Sequence, residues 1–204
     1  MSKHWTDKLV ELHACREAVE WAKGYPSLKA AWRVCKRGDW MLWLIGHTEQ
    51  SKPWSEERKV LARIAVECAM LAPSRCDEYE LSRQWCIDAL LRWCTGEDNR
   101  DEVEASRAAA YSAAVSLYFA DGSVGDYCAA AAYVCAAAAY VCASALDPAA
   151  AAYAAATYAA VTCPPDPDDA YPDDAYTYTW REIRWIRAAQ IVRRHRPQPP
   201  RLES

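Results

Sequence analysis

Between residues 105 and 160, 26 of 56 positions are alanine, and this tract limits what the chain can become more than any other feature. Alanine has the highest helix propensity and almost no side-chain bulk, so the tract predicts helices that pack closely and speaks against a sheet core of β-branched and aromatic residues. Asp121-Gly122 and Asp147-Pro148 interrupt it, the second with Asp placed to cap and Pro at the first helical position. Three helices are expected, near 101–120, 124–146 and 148–161. The middle one carries a literal seven-residue repeat, CAAAAYV at 128–134 and again at 135–141, continuing as CASALDP. Cys128, Cys135 and Cys142 then share one seam with Ala131, Ala138 and Ala145 between them, lined only by small side chains. Tyr133 and Tyr140 project from a second side and Val134 and Val141 from a third, so the helix lacks a polar face and is expected to be surrounded. Its cover can be the rest of this chain or a second copy of it. Residues 128–146 also meet the length criterion for a membrane span, but alanine inserts weakly and no Lys/Arg cluster flanks the stretch, so burial in protein is the expectation.

The rest of the chain fits the same all-α class, a multi-helix bundle or array of helical hairpins with an alanine-rich, closely packed core. A single helical domain is expected over 1–196, with short amphipathic helices in 1–96. The first should run over 7–23 with Leu9, Leu12, Val19 and Ala22 on one stripe, stopped by Gly24 and Pro26. Ser27 caps the next, over 28–36, and Gly38 ends it. Asp39 then caps 40–45, with Gly46 closing the turn. Ser55 and the acids after it open a helix through Leu71, and 77–94 forms another with Gly96 as its C-terminal cap. The stretch at 163–178 is expected to be an acidic, proline-rich loop. The capping box Thr179-Trp180-Arg181-Glu182 opens a last helix to about 195, with Trp180, Ile183 and Ile186 toward the core. Residues 197–204 read as a disordered tail.

The formal net charge is −4, which argues against a general nucleic-acid binder, since such proteins concentrate Lys and Arg against phosphates. The first residues are charged throughout and show no export signal, so a cytoplasmic protein is expected. None of the ten cysteines pairs at C-x-x-C spacing. They read as small reduced hydrophobes rather than a disulfide framework, and no metal site or cofactor is expected. Glu11, Glu17, Glu20, Glu67 and Glu80 lack the His three residues on that a helical di-metal site uses. No nucleophile elbow, phosphate-cradling glycine loop or His-Glu-x-x-His is present, so catalysis finds no support.

Binding finds more. Trp21, Trp32, Trp40 and Trp43 cluster in sequence beside Arg37; as indoles they can pack a core, or stack a base or nucleotide. Arg37-Gly38-Asp39 is read as an inter-helix junction rather than an adhesion tripeptide. Arg181, Arg184 and Arg187 recur every three residues, and a guanidinium stripe can hold a phosphate or an acidic partner. The competing reading pairs that stripe internally with Asp166, Asp168, Asp169, Asp173 and Asp174; the last four are also candidates for a partner-facing loop.

Three segments carry a family likeness: ACREAVEWAKGYPSLKAAWRVCKRGDWMLWLIG at 14–46, the alanine-rich array with spaced aromatics at 105–161, and AAQIVRRHRP at 188–197. Together they resemble the immunity-protein group of bacterial polymorphic-toxin loci and phages, related to the fifth-numbered immunity family. The combination of Cys15, Arg16 and Glu17 with the run from Arg37 to Trp43 is the specific part. The acidic stretch at 163–178 departs from the pattern. The resemblance implies a helical protein that neutralises something by binding it, without catalytic residues. The expected partner is a protein toxin or defence effector; the alternative is a nucleotide-like signalling molecule sequestered between helices.

Overall fold

The computed structural model describes residues 4–48, 51–71, 77–120 and 174–202. Among these there are eight helices and no strand: α1 (Asp7–Glu11), α2 (Arg16–Ala22), α3 (Leu28–Val34), α4 (Gly38–Thr48), α5 (Glu56–Ala69), α6 (Asp77–Cys94), α7 (Arg100–Ala120) and α8 (Asp174–His195). The all-α class follows from the propensities and is what the structure shows. None of the described helices is long and apolar enough to cross a membrane. The repeat at 128–148, its small seam and the helices expected at 124–146 and 148–161 lie outside the described residues.

Where a helix end is set by a local cap, it falls where the residue types require. Ser27 Oγ accepts from Ala30 N at 3.3 Å to open α3, and Ser55 Oγ accepts from Arg58 N at 3.4 Å to open α5. Gly96, at φ 108°, lets Glu97 N reach back to Arg92 O at 3.2 Å and so closes α6. From these ends α6 and α7 run as a packed hairpin, α5 lies against α6, and α8 returns to pack on α4 and α5. Leu42, Ile45, Leu61, Ile64, Ile87, Leu90, Val103 and Val192 are fully buried where these helices meet. Each such side chain contributes about 1.5–3 kcal/mol through the apolar surface it removes from water. Arg58 is buried among them, its Nε donating to Ser51 Oγ at 2.8 Å and to Ser51 O at 3.0 Å, which holds the approach to α5.

Several expectations are corrected. The helix expected over 7–23 is two helices, because His13 takes a left-handed φ of 61° and Ala14 N closes on Leu9 O at 2.9 Å. That is the closure a glycine usually provides, made here by a histidine, a residue type with above-average tolerance of this region. The third helix begins at Gly38 and runs through Gly46 to Thr48, so Gly46 closes no turn and Asp39 sits in the first turn rather than at the cap. The last helix begins at Asp174, five residues before the expected capping box, so Asp174 belongs to a helix and not to the loop. On α8 the buried positions are Arg184, Ala188, Ala189, Ile191 and Val192, while Ile183 and Ile186 are only half-buried. Residues 197–202 are not a free tail: Pro200 is buried and Leu202 packs on the core. Proline rings are apolar and bring no N–H that needs a partner, which suits them to such a contact.

Between α6 and α7, Trp85 Nε1 donates to Glu102 Oε1 at 3.0 Å and Arg92 forms an ion pair with the same carboxylate. These contacts hold the Glu102 carboxyl below its ordinary value of 4.5, the Trp85 hydrogen bond first and Arg92 next. A lowered carboxylate contributes stability above the ordinary value and loses it as pH falls through the lowered one. Glu102→Gln is therefore expected to lower the denaturation midpoint at neutral pH, with the gap to the parent protein closing as the solution is acidified below about 4.5. A gap independent of pH would show that the carboxylate does not hold the hairpin together.

Candidate functional site

α1 through α4 are short, and they enclose a cleft of about 340 Å³. Five indoles line it: Trp5, Trp21, Trp32, Trp40 and Trp43. Trp5 and Trp21, on either side of the break at His13, line the same cavity. Trp5 is fixed by its N–H on Tyr25 O at 2.9 Å, and Trp32 by its N–H on Arg196 O at 3.1 Å. Trp32 is almost wholly buried, at 3% exposure, whereas Trp21, Trp40 and Trp43 are half-buried. Their rings meet neighbours at angles aromatic quadrupoles favour: Trp21 lies 4.7 Å from Tyr25 and 5.7 Å from Trp40, both tilted, and Trp43 stacks on His47 at 4.2 Å. The indole N–H groups of Trp21, Trp40 and Trp43 make no hydrogen bond among the described residues.

One edge of the cleft is charged. Arg37 donates to both oxygens of Asp39, Nε to Oδ1 at 2.9 Å and Nη2 to Oδ2 at 2.7 Å, and its Nη1 reaches Glu17 at 3.4 Å. The guanidinium lies over the Trp40 ring at 4.4 Å and over the Trp185 ring at 3.8 Å. Burial works against its charge and the Asp39 carboxylate more than offsets that, so Arg37 is held above its ordinary value. Asp39 itself is buried, at 4% exposure. The tripeptide is thus a junction between α3, α4 and α8, and its cation is neutralised in place.

Of the residues singled out from sequence, the structure brings Arg37, Trp40 and Trp43 together with Trp21 and Trp32 around one cavity. Of the arginine stripe, Arg184 is buried at 8% exposure while Arg187 is exposed, so these two do not form one open face. The Arg181 side chain and all of Asp166, Asp168, Asp169 and Asp173 lie outside the described residues, as does the side chain of Asp174. Trp5 and Trp185 were missed. Trp5 stands four residues before Leu9, a helical spacing that flags it in hindsight; Trp185 carries no local signal, because its neighbour Arg184 disguises the inner side of α8. Glu67, which lacks a His three residues on, accepts instead from Arg194 at 3.0 Å and contacts His195 Nε2 at 2.8 Å across α5 and α8.

The cleft contains sulfur as well. Cys35 is buried, its thiol 3.5 Å from Arg37 O, and burial pushes it up to about 11, so it stays protonated at neutral pH. Cys15, Cys35, Cys68, Cys86 and Cys94 form no disulfide, and no cluster of metal-ligating side chains occurs among the described residues. Comparison with protein-family models, curated proteins and solved structures finds no match to this chain.

Proposed function

We propose that this chain is a binding protein of the immunity or anti-defence kind, which neutralises a protein toxin or defence effector by seating a group of that partner in the tryptophan cleft. The cleft itself carries the reading: five indoles around about 340 Å³, four of them half-buried, with an ion pair at one edge. Concave, mostly apolar sites with few polar groups are where proteins take ligands, and tryptophan anchors dominate binding energy where they become fully desolvated. The sequence likeness at 14–46 covers α2, α3 and most of α4. The reading requires no bond-making step, and buried cysteines outside any disulfide fit a reducing compartment such as the cytoplasm.

The rival reading, a sponge for a nucleotide-like molecule, draws on the same stacking surfaces. It is the weaker of the two because Arg37, the cation beside the indoles, is already committed to Asp39 and Glu17.

Affinity capture with the tagged full chain from bacterial lysate, analysed for proteins and for small molecules, tests both. The expected result is a protein retained stoichiometrically, whose toxic activity falls on addition of this chain. Trp43→Ala should reduce retention at least about tenfold, since losing an aromatic anchor costs about 2 kcal/mol or more. Leu81→Ser, at a residue of α6 that is 78% exposed and does not line the cleft, should leave it unchanged. Retention that is equal in the Trp43 variant would remove the cleft from the reading. A retained nucleotide with no protein would establish the sponge instead.

A further inference from the structure

We propose that the group the cleft takes is an uncharged, flat ring system about the size of two fused rings; this rests on the cleft being the binding site and adds the chemistry of its occupant. Size comes first. An apolar cavity of about 150 Å³ holds a benzene ring, and the space here is about 340 Å³, enough for a bicyclic ring with room at the mouth.

Charge decides the rest. An anion needs an available cation, and the guanidinium at the cleft's edge lies over the Trp40 and Trp185 rings with three of its nitrogens engaged by Asp39 and Glu17. Two carboxylates hold that one guanidinium, and Arg193 beside the cleft is spent on the Trp32 and Cys35 carbonyls, so neither cation is left free for a phosphate. A cationic ligand fares no better. Asp39, the buried carboxylate, is neutralised by Arg37, and Glu17 is 72% exposed to water that screens it. The Trp40 face that a cation would seek already carries one, and His47 stacks on Trp43. What remains unused is indole surface, together with the N–H donors of Trp21, Trp40 and Trp43. These suit a neutral π-system that bears a hydrogen-bond acceptor at its edge.

The test uses the full-length protein labelled with ¹⁵N, in which the indole N–H signals are assigned by single Trp→Phe substitutions. Quinoline near neutral pH serves as the neutral bicyclic probe, adenosine monophosphate as its phosphate-bearing counterpart and tetramethylammonium as the cation. Quinoline is expected to shift the Trp21, Trp40 and Trp43 signals saturably, at least about tenfold more tightly than either charged probe, with little dependence on salt. Trp43→Ala should weaken quinoline at least about tenfold while the circular dichroism spectrum and melting midpoint show the chain still folded. Tighter binding of the monophosphate, falling steeply with salt, overturns the assignment in favour of an anion site; tighter binding of tetramethylammonium overturns it in favour of a cation cage. If no probe moves the cleft signals while Trp43→Ala still abolishes partner capture, the ring assignment fails and the binding reading stands. If quinoline binds and partner capture is indifferent to Trp43, the reverse holds.

Discussion

Gly38→Ala is expected to lower the thermal midpoint by about 6–12 °C, corresponding to about 3 kcal/mol for a chain of this length. A Cβ at Gly38 would meet Ala188 Cβ at 2.6 Å, Ala189 N at 2.7 Å and Ala188 C at 2.9 Å. Two of those three atoms are backbone, so the strain cannot be relieved by turning a flexible side chain; α4 and α8 have to separate. Separation opens the layer in which Met41, Leu42, Ile191 and Val192 are buried. Adding Ala188→Gly to the same variant should recover only part of the loss, because it removes the first contact and leaves the other two. A midpoint unchanged by Gly38→Ala would mean the two helices are not in contact at that point.

Arg37→Ala should cost about 3–5 kcal/mol, since it strands a buried carboxylate. Asp39 is 4% exposed and receives both donor nitrogens of the guanidinium edge, while Trp40 and Trp185 each lose the guanidinium over their rings. Lysine is not expected to substitute: an ammonium cannot present two parallel donors and a flat face at once. The double variant Arg37→Met with Asp39→Leu removes the charge problem and should be far closer to the parent in urea denaturation than Arg37→Ala alone. If the single and double variants unfold together, the pair is not what the position depends on.

These two positions mark how far the sequence could be read. The starts of α3 and α5 and the end of α6 were legible because Ser27, Ser55 and Gly96 each act on backbone groups within three or four residues, and such interactions are written locally. Gly38 looked like one more helix terminator. Its use is a close approach to residues 150 positions later, and no local pattern distinguishes a glycine that ends a helix from one that admits another. The fold between 7 and 23 went wrong for a related reason: His13 adopts a backbone conformation read from glycine or asparagine, and the stripe of Leu9, Leu12 and Val19 continues across the break as if nothing happened. On α8 the polar-face rule failed at Arg184, whose burial shifts the inner side of the helix away from Ile183 and Ile186. At the site, the clustering of Trp21, Trp32, Trp40 and Trp43 was visible in the spacing. That Arg37 would be spent on Asp39 rather than kept for a ligand was not, because two residues of opposite charge separated by a glycine can equally face apart.

The wall formed by Trp32 is held by the carbonyl of Arg196, and Arg193 Nη1 donates to Cys35 O at 2.5 Å beside it. Those partners lie 164 and 158 residues away along the chain. A ribosome that has delivered the first 180 residues has therefore made every indole of the cavity but has not yet supplied the pieces that fasten it. That side of the cavity is fastened only once the last arginines have been made, so this part of the fold closes late in synthesis.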